Sequence, residues 1–560
     1  MNSQLVKVAT ITLVVCTLLL FAVWKWWTLR PDSHPTTALK WFLGPLVYAL
    51  IFGVEALIWT EGVFDGLAAM GLAGLLGVLT VQAFEKFFSV KLPERKSLEG
   101  TDILSQSEGV AWSESTRKTD TKNEARIGGI SVPATVEPMG FLFSGSPGSG
   151  KTLAFLQLAD SVRLRTLPAV VADLGAEYAS MFYREKQDFI LNPFDQRSQS
   201  WSPFAEMRSE VDAVALTWSM VPEGSGASME WHSYARTILN VVLVRLFKAD
   251  NPTNGELCYY LLTAPLAELA ELCKGSVATS YFEPGNERML GSVRAILCTY
   301  LQPYMHLPRG EGKDGFSIRR FVQKNADAWM FLTYREDQLK ALRPLLAAQL
   351  DIASSALLSL ETNLNRRLWF FLDEAYALGF VDSLVSLVSL GRKKGGCPVL
   401  GLQSITQLEE VYGQQKAETI LNCLKNILML YQSSNKNEDY MISLLGQRKV
   451  EESSTTETKT AGSKGGKSTS VTSQTKTEPA LIKGQLRDLE PRHGILKLDG
   501  TMPPSRVVIP LAKRKASEVP FVDVKSYLPI HIERPANLAP TEPPSPPSPR
   551  DGKHPINFNV

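Results

Sequence analysis

Hydrophobic positions are distributed unevenly along this chain. Three long apolar runs, residues 8–27, 41–59 and 63–84, come first. Each approaches or reaches the roughly 20 residues that a helix needs to cross a bilayer. Trp24, Trp26, Trp27, Trp41 and Trp59 gather at the run ends, where amphipathic rings favour a membrane–water interface. A cleaved signal peptide needs a small-x-small site after the first run, and Lys25 stands there among tryptophans instead. Three crossings put Lys25, Arg30, Lys40, Lys86, Lys91, Arg95 and Lys96 on the cytoplasmic side, with the turn at Thr60, Glu61 and Gly62 outside. That arrangement satisfies the positive-inside rule. Glu55 and Asp65 lower the second and third runs, so two crossings with one re-entrant or interfacial segment is the alternative.

After residue 90 the apolar runs shorten. Residues 91–125 are polar and read as a linker. From Arg126 onward, short apolar runs recur at 140–143, 168–172, 189–191, 328–333, 368–372, 398–402 and 427–431, with helical stretches between most of them. This alternation predicts an α/β fold with a mainly parallel sheet covered on both faces. The interval 204–321 breaks the alternation. It has little strand signal and helical periodicity at 213–220, 230–247, 256–272 and 288–300, and predicts an all-α domain inserted between two parts of the α/β domain, 126–203 and 322–515. Residues 450–479 are rich in Ser, Thr, Lys and Gly and cannot build a core. Residues 495–511 alternate around Gly500, as a hairpin returning to the sheet does. A tail, 516–560, becomes Pro-rich from Pro535 and reads as extended or disordered.

The remaining bulk properties narrow the function. A 560-residue chain with net charge +2 carries no general polycation character, so any nucleic-acid surface is local. The six cysteines are scattered without metal-ligand or redox spacing, as expected of packed thiols in a reducing compartment. The six histidines are likewise isolated, which argues against a zinc site.

Chemistry concentrates in the α/β part. Gly145, Ser146, Pro147, Gly148, Ser149, Gly150, Lys151 and Thr152 follow an apolar strand and precede an apolar helix. That is a complete P-loop in its proper context. Its glycines let backbone N–H groups turn inward around phosphate oxygens, and the helix N-terminus adds positive potential. Lys151 suits the β- and γ-phosphates of a nucleoside triphosphate, and the Thr152 hydroxyl suits Mg²⁺. The run 368–372 ends in Asp373 and Glu374, a Walker B pattern in which Asp373 serves the Mg²⁺ shell and Glu374 orients or deprotonates the attacking water. Arg392 lies in a basic turn, Gly391-Arg392-Lys393-Lys394-Gly395. It is either an arginine finger or part of a helix C-terminal charge cluster. Gln403 closes the run 398–402, where a strand end faces a nucleotide crevice and an amide can sense the γ-phosphate or hold water.

Several stretches beside these motifs make the chain resemble the type IV secretion coupling proteins, the membrane ATPases of conjugative DNA transfer. They are Arg126-Ile127-Gly128-Gly129-Ile130, Asp173-Leu174-Gly175-Ala176-Glu177-Tyr178, Ile190-Leu191-Asn192-Pro193-Phe194-Asp195 with Trp201, and Glu230-Trp231. Residues 370–374, Gly391-Arg392-Lys393, Gly401-Leu402-Gln403-Ser404 with Gln407-Leu408, and Val411-Tyr412-Gly413 complete them in family order. The resemblance implies a RecA-like P-loop NTPase domain with an inserted all-α domain, preceded by N-terminal transmembrane helices. It further implies a homo-hexameric ring in the bacterial inner membrane with its ATPase part in the cytoplasm. ATP and Mg²⁺ are the implied cofactors. The implied partners are single- or double-stranded DNA, the relaxase in its relaxosome, and the channel proteins of the secretion system. Arg392 takes the role of a trans-acting finger and Gln403 that of a nucleotide sensor. The chain departs from the family pattern in showing three apolar runs rather than two, and in Ala176, which precedes Glu177 and weakens a functional role for Asp173.

Lys464, Lys467 and Lys476 in the polar stretch are candidates for phosphate-backbone contacts, or a solvated loop. Three other readings share parts of these features. A coupling ATPase recruiting protein effectors uses the same motor. An FtsK-like DNA pump lacks the helical insertion and this motif order. A membrane receptor that binds nucleotide without turnover does not require Glu374.

Overall fold

In the computed structural model of the chain, the described residues are 94–115 and 124–524, apart from 225, 250, 308–311, 325, 460–466, 501, 512–515 and 517, together with 532 and 534. The three apolar runs, Lys464 and the Pro-rich end lie outside them. The chain divides into two compact units, Lys96–Glu451 with Gln474–Val560, and Met1–Arg95 with Glu452–Ser473. Described residues of the second unit are all in strands; the first carries the rest.

Strands in chain order are β1 (Glu94–Gly100), β2 (Ala125–Ile127), β3 (Ile130–Val132), β4 (Phe141–Ser144), β5 (Ala169–Leu174), β6 (Phe189–Ile190) and β7 (Trp329–Tyr334). They continue with β8 (Leu368–Leu372), β9 (Gly396–Leu402), β10 (Asn426–Met429), β11 (Gln447–Lys459), β12 (Lys467–Pro479), β13 (His493–Lys497) and β14 (Ser505–Val508). Nine of them form one sheet in the order β14-β13-β10-β4-β9-β8-β5-β7-β6. From β10 to β6 every pairing is parallel, while β13 and β14 add an antiparallel edge. The expected parallel core is therefore present, and β9 stands between the P-loop strand β4 and the Walker B strand β8.

A parallel sheet buried on both faces needs apolar side chains at nearly every position. Strand β8, Leu-Trp-Phe-Phe-Leu, is buried throughout. Its side chains alternate between two cores, as the pleat demands. Trp369 and Phe371 join Phe141, Phe143 and Phe155 beneath the helix Lys151–Leu164. Leu368, Phe370 and Leu372 join the core that includes the helix Leu339–Leu358. Among the described residues that helix alone is long and apolar enough to cross a membrane. It is mostly buried, packed against the helices Asp212–Met220, Ile318–Lys324 and Leu384–Leu390.

Between β6 and β7 the regular elements among the described residues are all helical. The helix expected over 256–272 is broken. A capping box, Thr253 with Glu256, starts the helix Asn254–Cys258, a π turn follows over Tyr259–Thr263, and a new helix begins at Leu266. Pro265 explains the break, because its ring removes a donor and clashes with the preceding turn.

Three polar regions carry more structure than their composition suggests. Within 91–125, read as a linker, β1 is followed by the helix Gln106–Ser115, which packs on β3 and β14. Leu104 joins Pro504 and Arg506 through two backbone hydrogen bonds of 2.8 Å. This helix buries only Gly109 and Ser113, so no apolar stripe announces it. Within 450–479, β11 and β12 extend a sheet ordered β1-β11-β12, and backbone pairing there needs no apolar content. Lys467 and Lys476 lie on β12. At the start of the tail, Arg197 donates to the carbonyls of Val519 (3.0 Å) and Pro520 (2.8 Å), and the Glu518 N–H donates to Ser180 (3.1 Å).

Candidate active site

Parallel pairing aligns the carboxyl ends of β4, β9 and β10, with Ser144 opposite Leu402 and Met429. The P-loop leaves this edge and is fixed on both sides. Gly145 N–H donates to Leu402 O (3.1 Å) and Ser146 N–H to Tyr431 O (2.9 Å). The Ser146 hydroxyl donates to Ser433 Oγ (2.8 Å) and accepts from the Ser433 N–H (2.9 Å). On the far side, Arg492 N–H donates to Ser149 O at 2.8 Å. Gly150 has φ 100°, a conformation that only glycine adopts without strain, and it caps the helix Lys151–Leu164. A Cβ there would also lie 3.1 Å from Arg492 Cα, whereas at Gly148 it would meet nothing within 4 Å. The loop is thus braced from behind and open in front, with Thr152 half-buried on the first turn.

Lys151 is buried, and its Nζ lies 3.1 Å from Asp373 O and 3.3 Å from Asp373 Oδ1. The other carboxylate oxygen, Oδ2, accepts from the Tyr178 hydroxyl at 3.1 Å. Glu374 Oε1 accepts from Gln403 Nε2 at 2.9 Å. Gln403 is itself placed by Asn437, whose side chain donates to Gln403 O (2.8 Å) and accepts from Ile405 N–H (3.1 Å). Gly401 makes this convergence sterically feasible. A Cβ at Gly401 would lie 1.8 Å from Asp373 O, so any side chain there displaces the end of β8.

Asp173, at the end of β5, is fully buried and accepts from the N–H groups of Ala179 (2.7 Å) and Tyr178 (3.1 Å). Burial pushes its carboxyl up to about 7, against the pull of those two donors. Burial also raises Glu177, with the Asp373 charge adding to it. The Tyr178 hydroxyl is raised well above its ordinary value, first by burial and then by Asp373. A phenol so placed keeps its proton and acts as a donor.

Of the residues singled out in the sequence, the P-loop, Asp373, Glu374, Gln403 and Asp173 come to one edge of the sheet. Arg392 does not. It is exposed in a 3₁₀ turn, Gly391–Lys394, just before the amino end of β9. Seven residues of β9 separate that turn from Gln403, a span of roughly 20 Å in extended chain. Tyr178 and Arg492 were not read as site residues from the sequence. Tyr178 belongs to the stretch 173–178, where exposed Gly175 and Glu177 alternate with buried residues, and no local pattern marks its hydroxyl. Arg492 has φ 70°, a conformation rare outside glycine, and no local sequence feature foretells it.

The chain matches known proteins over this same region. The family described as type IV secretion-system coupling protein DNA-binding domain matches residues 124–510. Coupling protein TraD of Escherichia coli (strain K12) is 28% identical over 339 residues, which is 59% of this chain and 47% of TraD. The match therefore spans about half the length of that curated relative. The bacterial conjugative coupling protein TrwBdeltaN70, unbound monoclinic form, gives a TM-score of 0.68 at 30% identity, covering 76% of this chain and 97% of its own. TrwB in complex with the non-hydrolysable ATP analogue ADPNP gives 0.67 at 29% identity, and TrwB with ADP and Mg²⁺ gives 0.67 at 30%, each covering 78% of this chain and 99% of the TrwB chain.

Proposed function

The chain belongs to the type IV secretion-system coupling proteins, and from that premise we propose that it is an ATP-driven, inner-membrane motor that moves DNA from a relaxosome into a secretion channel as a homo-hexameric ring. The observation that carries this reading is the convergence of Lys151, Asp373, Glu374 and Gln403 beside an open P-loop. The relatives in complex with ADPNP and with ADP and Mg²⁺ support ATP and Mg²⁺ as its ligands.

The residues present fit those ligands. The loop offers the amino end of the helix Lys151–Leu164, an ammonium and open space at Gly148. Asp373 Oδ1 is buried and has no hydrogen-bond partner, its neighbour being the Lys151 ion pair. In this reading Thr152 and Asp373 hold Mg²⁺, which neutralises charge on the β- and γ-phosphate oxygens when bound.

Lys151 attracts the same phosphates from the loop side. Glu374, held by Gln403, takes the proton of the attacking water, because its carboxylate stands one residue beyond Asp373 at the open edge. Gln403 keeps that carboxylate turned toward the reacting oxygen. Arg392 lies at the opposite edge and completes the pocket of a neighbouring copy, where its guanidinium meets the charge that grows on the γ-phosphate. DNA is gripped by its phosphate backbone without reading bases.

The test is phosphate release by the purified chain with and without single-stranded DNA, paired with plasmid transfer from donor cells. Turnover that rises with DNA and transfer that disappears with Lys151→Ala are the expected results. Bound nucleotide without turnover under either condition leaves a receptor, and normal transfer from cells carrying only the Lys151→Ala chain removes the motor.

A further inference from the structure

Asp373 needs more than a position at the end of β8 to serve a metal. Its carboxylate can rotate about the side-chain bonds, and Lys151 engages one oxygen only, Oδ1 at 3.3 Å. The second oxygen, Oδ2, is held by the hydroxyl of Tyr178 at 3.1 Å. Tyr178 is 3% exposed, so this phenol spends its one proton inside the protein, on Asp373.

The support behind Tyr178 is rigid. Strand β5 runs beside β8 with Ala172 opposite Leu372, which brings the two following acids, Asp173 and Asp373, to neighbouring strand ends. Asp173 uses both its oxygens on the backbone of the next turn, one on Tyr178 N–H and one on Ala179 N–H. Gly175 (φ 75°) and Ala176 (φ 55°) both adopt the left-handed conformation to reverse the chain into that turn. A non-glycine residue takes that conformation only where its surroundings impose it. The turn opens the helix Glu177–Phe182, and the Glu518 N–H adds a further hold on it through Ser180 O. The chain of contacts therefore runs from β5 through Asp173 and the Tyr178 backbone to the Asp373 carboxylate.

We propose that Tyr178 is a positioning residue for the metal-binding carboxylate: anchored by Asp173, its hydroxyl fixes the orientation of Asp373 and so sets the affinity of the nucleotide site for Mg²⁺. The inference deepens the reading of Asp373 as a Mg²⁺ ligand and rests on it. A hydrogen bond to a ligating carboxylate selects one rotamer, so that Oδ1, held only by the Lys151 ion pair, is already aimed when the ion arrives. The buried hydroxyl spends its proton on Asp373, so its removal is expected to act on the metal and to leave the loop's hold on nucleotide unchanged.

The test uses the full chain in detergent or nanodiscs, on a Glu374→Gln background that prevents turnover. Binding of a fluorescent ATP analogue is titrated with Mg²⁺ and repeated in EDTA. Tyr178→Phe removes one oxygen atom and keeps the ring. It is expected to raise the half-saturating Mg²⁺ concentration about tenfold, the scale typical of lost outer contacts to metal ligands, with binding in EDTA unchanged. Asp373→Asn is the reference, and its shift must be at least as large. If Tyr178→Phe leaves the Mg²⁺ midpoint at the parent value while Asp373→Asn moves it, the hydroxyl only satisfies a buried phenol and the inference fails. If neither variant moves the midpoint, the assignment of Asp373 to the metal fails first. A loss of nucleotide affinity in EDTA equal to the loss in Mg²⁺ also overturns it, because a general packing defect then accounts for both.

Discussion

The two ends of strand β9 differ in kind. At its carboxyl end, half-buried Gln403 bonds to Glu374, beside the buried pair that Lys151 of the P-loop makes with Asp373. At its amino end, Arg392 is exposed. One end is organised within a single chain, and its residues are already aimed at each other. The other end offers a cation with nothing of its own site nearby. In the proposed ring, a single chain would hold most of one pocket and, through Arg392, a small part of its neighbour's.

Removing Lys151 makes the strongest test of that contrast. Lys151→Ala is expected to abolish ATP turnover, read as phosphate release, because the carboxyl end of the sheet loses its cation. Arg392→Ala comes next, with turnover falling by about 10³-fold or more, although the residue lies at the far edge. Mixing it with Lys151→Ala chains should restore part of the activity, since one copy then supplies the intact loop and the other the arginine. No recovery in well-mixed rings would remove the division of labour between the ends.

Glu374→Gln keeps the hydrogen-bond geometry with Gln403 and removes the base. Turnover is expected to fall by about 10²–10⁴-fold while ATP stays bound, measured by single-turnover hydrolysis and nucleotide retention. Gly401→Ala introduces a Cβ into the space of Asp373 O. Overpacking of this kind costs about 1–3 kcal/mol, so both the unfolding midpoint and turnover should drop.

A further effect concerns pH. Asp173 binds its proton more tightly in the folded chain, at about 7 against an ordinary 3.8. Between those values the folded form keeps a proton that the unfolded form releases. Its stabilising contribution is complete below the ordinary value, declines as pH rises, and is gone above about 7. The unfolding midpoint compared at pH 5 and pH 8 should show this decline, and Asp173→Asn should flatten it.

Much of this site is legible without coordinates because it depends on local chemistry. A glycine loop between a strand and a helix is written in consecutive residues 145–152, and the pair Asp373-Glu374 directly follows its strand. The parallel core is legible for a similar reason, as strands buried on both faces leave continuous apolar runs such as Leu-Trp-Phe-Phe-Leu. The helix Gln106–Ser115 is not legible in the sequence because it buries two small residues and shows no stripe. The ribbon β11–β12 leaves no apolar signal because main-chain pairing does not depend on apolar composition.

What the sequence determined by itself was which groups exist and which elements carry them, since strand, loop and helix signals act over a few neighbouring residues. What only the tertiary structure decided was which distant groups meet. Tyr178 reaches Asp373 across 195 positions of chain because β5 and β8 lie side by side in the sheet, and Gly401 is required because β9 passes against the end of β8. Strand order is set by packing many elements at once, and no short stretch of residues encodes it.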